Sequence, residues 1–309
     1  MKDSYELIII GSGPAGLAAS IYATRAQLDS IVIEKDGISG GQIITTEQVD
    51  NYPGLLGISG LDLGMKLKEH AQQLGSVFVE GEIKSFTVDN ENKCVTLHNG
   101  KQLKSKAVII ATGAKPKRLG VPGEEELLGM GVSYCATCDG AFFKNRQTVV
   151  VGGGDVAIED ALVLSKICKK VYLVHRREGF RATKSLVEKV KQCENVEILT
   201  NCIVKRIIGE DVVEGVVVEN IVENQEQSLK VEGVFIAVGY DPNTELFAQS
   251  LALDEKGYIC AGEEGKTNIP GVFAVGDCRT KQLRQIVTAV SDGANAVTSV
   301  ERYLNSLEF

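Results

Sequence analysis

The sequence contains no tryptophan, only six prolines and three histidines, and no long apolar run. A membrane-spanning helix needs roughly 18 or more consecutive apolar residues, whereas the run near the N-terminus covers only residues 7–10. That run is also too short for the apolar core of a secretory signal. We therefore expect a cytoplasmic protein that has no membrane partner.

Cysteine is too sparse for a disulfide-stapled secreted protein, with eight in 309 residues. Six of the eight are isolated in the sequence and are expected to be reduced, buried thiols. A structural zinc site needs four ligands, and the chain has neither a second C-x-x-C nor an H-x₃₋₅-H pattern, so no metal is expected. Cys135 and Cys138 form the C-x-x-C pair and need another explanation.

Basic residues are in deficit, with 33 Lys and Arg against 41 Asp and Glu, for a net charge of −8. This surface repels phosphate backbones, so nucleic acid is not expected as a partner.

The length predicts about two domains, and 44% apolar residues are typical of a globular protein. Glycine is abundant, at 33 residues without a collagen-like period, which predicts tight turns and close approach to a ligand.

A strand pattern over residues 5–10 leads into a glycine-rich turn, a helical pattern to residue 25 and a second strand pattern over residues 31–34. Gly11, Gly13 and Gly16 give the G-x-G-x-x-G spacing. The first glycine permits the tight turn, the second admits a pyrophosphate, and the third lets the helix pack on the strand. Glu34 ends the second strand and can accept both ribose hydroxyls of an adenosine, which favours FAD or NAD and excludes NADP.

The same β-α-β organisation recurs from residue 148, with the turn Gly152, Gly154 and Ala157, a helix predicted to about residue 169 and a strand over residues 171–174. Here His175 occupies the place of the acid. The basic residues that follow it are Arg176, Arg177 and Arg181. Positive charge suits a 2′-phosphate, which favours NADPH over NADH, the alternative being a solvated basic helix start.

The predicted fold class is α/β, with two Rossmann-like three-layer nucleotide-binding domains, the second inserted in the first, and small antiparallel β layers. Strand patterns over residues 107–113 and 233–239 each end in glycine and precede proline, as at a domain boundary. The first domain is therefore expected at residues 1–114 and 241–309, and the second at residues 115–240. Alternation at residues 77–80 and 94–97, around Asn99-Gly100, predicts a small antiparallel layer.

Two different dinucleotides in one chain imply hydride transfer from NADPH to a flavin, which can pass on electrons singly or in pairs. A third redox partner is then expected. Cys135 and Cys138 supply one, because two thiols separated by two residues can close a disulfide within one turn. Their place just before the second glycine motif favours a redox function.

Together these motifs resemble the bacterial low-molecular-weight NADPH-dependent thioredoxin reductases, and the resemblance covers essentially the whole chain. The segments that carry it are residues 11–16, 40–43, 51–54, 111–113, 135–140, 152–157, 175–177, 276–277 and 284–286. One position departs from the family pattern, because Val156 stands where serine is usual. This loss of a hydroxyl predicts weaker NADPH affinity but no change of cofactor, since backbone N–H groups still face the pyrophosphate.

The resemblance implies FAD in the first domain and NADPH in the second, and assigns residues to each. The residues expected at FAD are Gly11, Ser12, Gly13, Pro14, Ala15, Gly16, Glu34, Lys35, Gly41, Gln42, Asn51, Ile83, Ala111, Thr112, Gly113, Gly276, Asp277, Arg284, Gln285 and Ile286. The residues expected at NADPH are Gly152, Gly153, Gly154, Asp155, Val156, Ala157, Glu159, His175, Arg176, Arg177 and Arg181.

The resemblance also implies a homodimer and a reaction in which electrons pass from NADPH to FAD, to the Cys135–Cys138 disulfide, and to thioredoxin or a thioredoxin-like protein. It places Cys138 at the flavin and makes Cys135 the thiol that attacks the partner. Asp139 would serve as general acid/base for the departing thiolate, which we favour over the alternative that an acid here only caps a helix. Family members rotate the NADPH domain, so residues 113–117 and 239–243 are expected hinges.

Two other functions are left open by the residues. The first is a ferredoxin- or flavin-type NADPH oxidoreductase on the same scaffold, such as a ferredoxin–NADP reductase or an NADPH oxidase, in which the cysteine pair is idle. The second is a non-enzymatic flavoprotein redox sensor. The sequence shows no appended effector or basic DNA-reading segment that would support the second.

Overall fold

A computed structural model describes residues 2–35, 37–46, 49, 51–89 and 92–307, without the side chains of Thr45 and Cys138. The chain forms two compact units. Unit 1 comprises Met1–Lys115 and Asp241–Phe309, and unit 2 comprises Pro116–Tyr240. No helix among the described residues is long and apolar enough to span a membrane.

The first part of unit 1 contains a β-α-β arrangement followed by an antiparallel layer. Its elements are β1 (Ser4–Ile10), α1 (Pro14–Arg25), β2 (Ser30–Glu34), α2 (Gly60–Gln73), β3 (Val77–Glu80), β4 (Ile83–Asp89), β5 (Asn92–Leu97), β6 (Gln102–Ile110) and β7 (Ala114–Pro116).

Unit 2 carries the second β-α-β arrangement and a separate small sheet. Its elements are β8 (Val132–Ser133), α3 (Ala136–Asp139), β9 (Gln147–Gly152), α4 (Asp155–Ser165), β10 (Lys170–His175), α5 (Lys184–Lys191), β11 (Val196–Thr200), β12 (Cys202–Ile208), β13 (Gly215–Asn220), β14 (Gln225–Leu229) and β15 (Gly233–Ala237). The chain then returns to unit 1 through β16 (Tyr240–Pro242), which pairs with β7. The remaining elements are β17 (Val272–Ala274) and α6 (Ile286–Ser306).

The sheet of unit 1 has the order β3-β2-β1-β6-β5-β4, and β17 also pairs with β6. Strands β3, β2, β1, β6 and β17 are parallel, whereas β4 and β5 continue the sheet as an antiparallel hairpin layer. The long strand β6 pairs with β5 through its first half and with β17 through its second half. The carboxyl ends of β1, β2, β6 and β17 therefore lie along one edge, where ligands bind in folds of this class.

Apolar side chains fill both faces of this sheet. On one face, helices α1 and α6 contribute small residues, including Ala15, Ala19 and Ala296, to a fully buried cluster with Leu7 and Ile9. The crossing is close, because a Cβ on Gly293 of α6 would overlap the Ala15 carbonyl oxygen of α1. Close packing at this crossing fixes α1, and with it the turn that precedes α1, against the sheet.

The main sheet of unit 2 has the order β11-β10-β9-β15-β8 and is parallel throughout. Strands β9 and β15 are rich in apolar residues and are buried on both faces, as expected for a parallel sheet covered by helices. The separate sheet β12-β13-β14 is antiparallel. The α/β class and its two Rossmann-like arrangements with antiparallel layers are as predicted.

Three sequence expectations differ from the structure. Of the six isolated cysteines that were expected to be buried, Cys260 is exposed and Cys94 and Cys193 are only partly buried. The strand at Val77–Glu80 pairs with β2 in parallel and does not belong to the antiparallel layer. Alternation of apolar residues indicates a half-buried strand but not the direction of its partner. Helix α4 ends at Ser165, about a turn earlier than predicted. Ile167 and Cys168 continue the apolar spacing of the helix, which is why the sequence predicted a longer helix. The structure does not make these residues helical.

Candidate active site

The turn between β1 and α1 can be made only by glycine at two positions. Gly11 has φ +100°, and a Cβ there would lie 2.5 Å from the Ala111 carbonyl oxygen. A Cβ on Gly16 would overlap the Gly11 carbonyl oxygen. The helix N-terminus is thereby brought against the ends of β1 and β6. Its first N–H groups have no partner within the helix and face the edge where a pyrophosphate would bind.

Glu34 is held at the end of β2 beside this turn. Its Oε2 accepts hydrogen bonds from the Ser12 backbone N–H (2.9 Å) and the Ser12 hydroxyl, and its Oε1 accepts one from the Lys35 N–H (2.8 Å). The Lys35 ammonium pairs with Glu82 at 2.8 Å. Ile83 follows directly and packs at the margin of the core. The Glu34 carboxylate is thus preoriented next to the glycine turn, as ribose binding requires.

A second group of glycines faces the first turn. The Gly40 N–H donates to the Ser12 carbonyl oxygen at 2.8 Å. A Cβ on Gly41 would lie 3.2 Å from the Cα of Gly13, and one on Gly13 would have Gly40 and Gly41 atoms 3.9 Å away. Three glycines therefore line a shallow cradle that side chains would fill. Pro14 follows at the first helical position, where the missing N–H costs no hydrogen bond.

The segment after β6 is fixed by an asparagine far along the chain. The Thr112 hydroxyl donates to the Asn243 carbonyl oxygen (2.7 Å), and the Asn243 amide donates to the Thr112 carbonyl oxygen (2.9 Å). The Gln42 amide lies near Gly113, 3.9 Å from the position of a Cβ there. Asn51 donates to the Gln285 Oε1 at 2.9 Å, and Gln285 caps α6, which starts at Ile286. The structure thus brings together Gln42 with Gly113 and Asn51 with Gln285.

Asp277 has a buried oxygen that lacks a partner. It lies on the short helical turn after β17, and its Oδ1 accepts no hydrogen bond from any described residue. Burial raises the pKa of Asp277, while the charges of Lys281 and Arg284 oppose that rise. Arg284 lies over the Tyr258 ring at 4.0 Å, and its buried Nε is also unpartnered. Such atoms need a hydrogen-bonding ligand.

A buried ion cluster supports the Asp277 turn from behind. Asp292 of α6 accepts from the Gly276 N–H (2.8 Å), from Arg279 through two nitrogens (2.9 and 2.6 Å) and from Lys281 (2.8 Å). Although burial opposes ionisation, the hydrogen bonds from Arg279 and Lys281 hold the pKa of Asp292 below its ordinary value. The turn is consequently tied to α6 through Gly276 and Arg279.

The residues of unit 1 fit FAD. The glycine cradle leaves room for a pyrophosphate, Glu34 offers oxygens for a ribose, and the unpartnered Asp277 Oδ1 suits a ribityl hydroxyl. These groups come from the carboxyl ends of β1, β2 and β17, as in other dinucleotide sites at the edge of a parallel sheet.

The second glycine turn packs on a histidine. A Cβ on Gly153 would overlap the His175 ring, which is buried, stacks on Phe180 (5.1 Å between centroids) and contacts the Gly179 carbonyl oxygen through Nε2 at 3.1 Å. Burial and the nearby arginine charges lower the pKa of His175. His175 is therefore neutral at pH 7 and supports the turn. The exposed arginines that follow it supply positive charge at this end of β10.

The arginine segment is fastened to the glycine turn at two points. The Arg181 N–H donates to the Gly153 carbonyl oxygen at 2.8 Å. Asp155, the first residue of α4, accepts hydrogen bonds from the Thr183 N–H (2.6 Å) and hydroxyl (2.9 Å), and these bonds lower its pKa. The three arginine side chains, on Arg176, Arg177 and Arg181, are exposed. They are free to meet a phosphate group beside the turn.

Five other expected NADPH residues lie along the same turn and helix. Gly152 ends β9, and Gly154 has no atom within 4 Å of a Cβ position, so it leaves the approach to the helix N-terminus open. Val156 is exposed at the second helical position, and Glu159 is exposed one turn further, whereas Ala157 is buried. The departure at Val156 therefore exposes an apolar side chain at the turn.

The redox motif lies at the end of the edge strand β8. Cys135 is disulfide-bonded, and its Sγ lies 3.3 Å from the Thr137 hydroxyl. Asp139 closes the short helix α3, its N–H donating to the Cys135 carbonyl oxygen at 3.1 Å. The Ser133 hydroxyl donates to the Asp139 Oδ2 at 2.6 Å. The side chain of Cys138, the other expected redox residue, lies outside the described part of the chain.

A buried acid that the sequence analysis missed lies on α4. Asp160 is 9% exposed, and burial raises its pKa to about 7, with a smaller contribution from the Glu159 charge. The unfolded chain ionises this carboxyl near its ordinary value of 3.8. Folding therefore opposes ionisation, and the native state loses stability as the pH rises from about 4 to about 7.

Asp160→Asn should remove this penalty. We expect the melting temperature of the variant to exceed that of the parent by several degrees at pH 8, where the penalty reaches up to about 4 kcal/mol, and by little at pH 4. Thermal unfolding at both pH values measures the difference. Glu159→Gln is the control, because Glu159 is exposed and contributes only a charge. An equal shift of Asp160→Asn at both pH values would contradict the prediction.

Asp160 and the anchoring residues Ser133, Asn243 and Asp292 carried no signal in the sequence. None belongs to a glycine or cysteine motif, and the partners of Asn243 and Asp292 lie 131 and 11–16 residues away along the chain. The described residues also contain no group of three or more His, Cys, Asp or Glu that could hold a metal ion.

Comparisons with known proteins agree with this geometry. Residues 5–293 match the family model described as pyridine nucleotide-disulphide oxidoreductase. A thioredoxin reductase of Listeria monocytogenes is 46% identical over 305 residues, covering 98% of this chain and 95% of that protein. One of Bacillus subtilis is 45% identical, with 98% and 96% covered. The crystal structure of Lactococcus lactis thioredoxin reductase superimposes with a TM-score of 0.84 at 38% identity, covering 98% of this chain and 99% of that one.

Proposed function

Because the chain belongs to the pyridine nucleotide-disulphide oxidoreductase family, we propose that it is an NADPH-dependent thioredoxin-disulfide reductase that uses FAD. Relatives named thioredoxin reductase match almost its whole length. The observation that carries the proposal is the disulfide-bonded Cys135 in the unit whose glycine turn is followed by exposed arginines. Neither a ferredoxin-type oxidoreductase nor a redox sensor needs that disulfide, and the comparisons favour neither.

The two units would hold the two cofactors separately. Unit 1 would bind FAD, with Glu34 at the adenosine ribose, the glycine cradle at the pyrophosphate and Asp277 at the ribityl chain. Unit 2 would bind NADPH, with Arg176, Arg177 and Arg181 at the 2′-phosphate. When bound, FAD supplies a carrier that accepts a hydride and delivers an electron pair to a disulfide.

The residues of the cysteine motif would carry out the exchange with thioredoxin. The Cys135 thiolate attacks one sulfur of the thioredoxin disulfide, so that a mixed disulfide forms and the thioredoxin S–S bond breaks. The departing sulfur takes a proton from the Asp139 carboxyl. The Cys138 thiolate then attacks the Cys135 sulfur, which restores the disulfide and releases the second thioredoxin sulfur as a thiolate.

The purified full-length chain tests this proposal. We expect a yellow protein that carries about one FAD per chain and that consumes NADPH only when thioredoxin disulfide is supplied, with two thiols released per NADPH. Flavin absorbance and thiol titration measure both quantities. A flavin-free protein that cannot be reconstituted, or NADPH consumption without thiol release, would refute the proposal.

Asp277 gives a sharper test of the FAD site. Asp277→Ala removes an acceptor for a ribityl hydroxyl, and one charge-assisted hydrogen bond contributes roughly 1.5–3 kcal/mol. We expect the dissociation constant of FAD from the apoprotein to rise by about 10- to 150-fold, measured by quenching of flavin fluorescence. Glu255→Ala, on an exposed turn of the same unit, should leave it unchanged. Unchanged FAD affinity in Asp277→Ala would mean that Asp277 does not contact the flavin.

A homodimer and a cytoplasmic location complete the proposal. Ile38, Leu61 and Met65 expose 44–58% of their surface on unit 1, which supports a covering partner of the same chain. Sedimentation velocity would give the assembly mass. Six cysteines are free thiols, which supports a reducing compartment.

A further inference from the structure

We propose that Ser133 is a positioning residue for the proton transfer that accompanies thiol–disulfide exchange. The inference rests on the proposed function, because it assigns to Ser133 the task of holding Asp139 in place for the departing sulfur. No cysteine or glycine motif includes Ser133. The serine instead makes hydrogen bonds to Cys135 and Asp139 of the cysteine motif.

Ser133 has a rigid support. It is 6% exposed and lies at the carboxyl end of β8, opposite Phe235 in the neighbouring interior strand β15. Phe235 is fully buried and packs edge-to-face on Phe143, which follows α3. The serine is therefore fixed on the core of unit 2, whereas Asp139 lies on a helix of only four residues. A side chain on such a short element needs an external contact to keep one orientation.

Three hydrogen bonds connect Ser133, Cys135 and Asp139 in a closed circuit. The Cys135 N–H donates to the Ser133 Oγ (3.0 Å), the Ser133 hydroxyl donates to the Asp139 Oδ2 (2.6 Å), and the Asp139 N–H donates to the Cys135 carbonyl oxygen (3.1 Å). The Cys135 carbonyl is also near the hydroxyl, but at 3.3 Å. The single hydroxyl proton favours the nearer and more basic carboxylate.

This circuit assigns different tasks to the two oxygens of Asp139. Oδ2 is occupied by Ser133, whereas Oδ1 accepts no hydrogen bond from any described residue. Oδ1 is the oxygen left to exchange a proton with sulfur. A hydroxyl suits this task because it can donate to Oδ2 both when Asp139 is ionised and when the proton is on Oδ1, where Oδ2 remains an acceptor. Ser133 therefore holds Asp139 in both protonation states, as a group that gives up and regains a proton requires.

Kinetics of the holoenzyme with thioredoxin test the inference. Ser133→Ala should lower kcat by about 10- to 100-fold, a part of the 10²- to 10⁴-fold that a general acid contributes. The KM for thioredoxin should stay within about twofold, because Ser133 is buried. Ser133→Thr keeps the hydroxyl and should restore most of kcat. Ser165→Ala, which removes a local hydroxyl bond at the end of α4, should leave kcat unchanged.

A double-mutant cycle separates positioning from a merely structural effect. If Ser133 acts through Asp139, then Ser133→Ala combined with Asp139→Asn should be no slower than Asp139→Asn alone. Multiplicative losses, or an unchanged kcat in Ser133→Ala, would overturn the inference. If Ser133→Ala does not fold, Ser133→Thr becomes the test. A Ser133→Thr variant that folds but loses kcat would then overturn the inference. A parent enzyme that cannot reduce thioredoxin would refute the proposed function itself.

Discussion

Cys135→Ser should lower the rate of thioredoxin reduction by at least about 10³-fold while NADPH still bleaches the flavin. Cys135 is disulfide-bonded in the structure, and a serine can neither close that bond nor attack thioredoxin. In the proposed assignment, NADPH binds at the glycine turn and the arginine segment, which the substitution does not touch. Rapid-mixing absorbance at the flavin band and a thiol assay measure the two half-reactions separately.

Cys138→Ser should also stop turnover but give a different product. Its Cys135 thiol remains able to attack, so a stable mixed disulfide should accumulate with a thioredoxin that lacks its resolving cysteine. Cys193→Ser, a free thiol on the same unit, is the matched control and should retain full activity. Near-normal turnover in either variant of the pair would favour the ferredoxin or oxidase function. A mixed disulfide formed only through Cys138 would keep the relay but exchange the two roles.

The double variant Arg176→Ala with Arg177→Ala should raise the KM for NADPH by at least about 100-fold and change the KM for NADH little. Each guanidinium lost from a phosphate costs roughly 1.5–3 kcal/mol, and NADH has no 2′-phosphate to lose. Both side chains are exposed, so the fold should tolerate the change. Steady-state kinetics with the two nucleotides measure the ratio.

Arg146→Ala is a suitable control, because Arg146 is exposed before β9 at the opposite end of that strand from the turn. Equal use of NADPH and NADH by the parent enzyme would refute the assignment and make the arginine segment an ordinary solvated surface.

The glycine turns and the flanking strands could be predicted from the sequence because a single residue type satisfies each constraint. At Gly11 and Gly16, any Cβ meets a backbone carbonyl, so the spacing alone identifies the turn. The acid at the end of β2 follows from the same local geometry. The glycine turns and the acid at the carboxyl ends of β1 and β2 therefore follow from local sequence.

The supporting residues could not be predicted in the same way. Asp292 reaches the Asp277 turn from α6, and Asn243 reaches Thr112 across 131 residues of chain, so that only the folded sheet brings them together. His175 illustrates a different difficulty. Its place in the sequence indicated one more cation, but burial makes it neutral. Sequence position shows which residue follows a strand, whereas burial decides whether that residue is charged.

The packing of Gly153 on His175 has a consequence for anyone who would redesign the coenzyme preference. The two positions form one unit of variation: a bulkier residue at 153 has no room while the imidazole is present, and a smaller one at 175 would leave a hole under the turn. Library designs that randomise 175 together with the arginines would therefore lose variants to misfolding. A library that varies only positions 176, 177 and 181 and keeps the His175 imidazole should change coenzyme specificity without losing variants to misfolding.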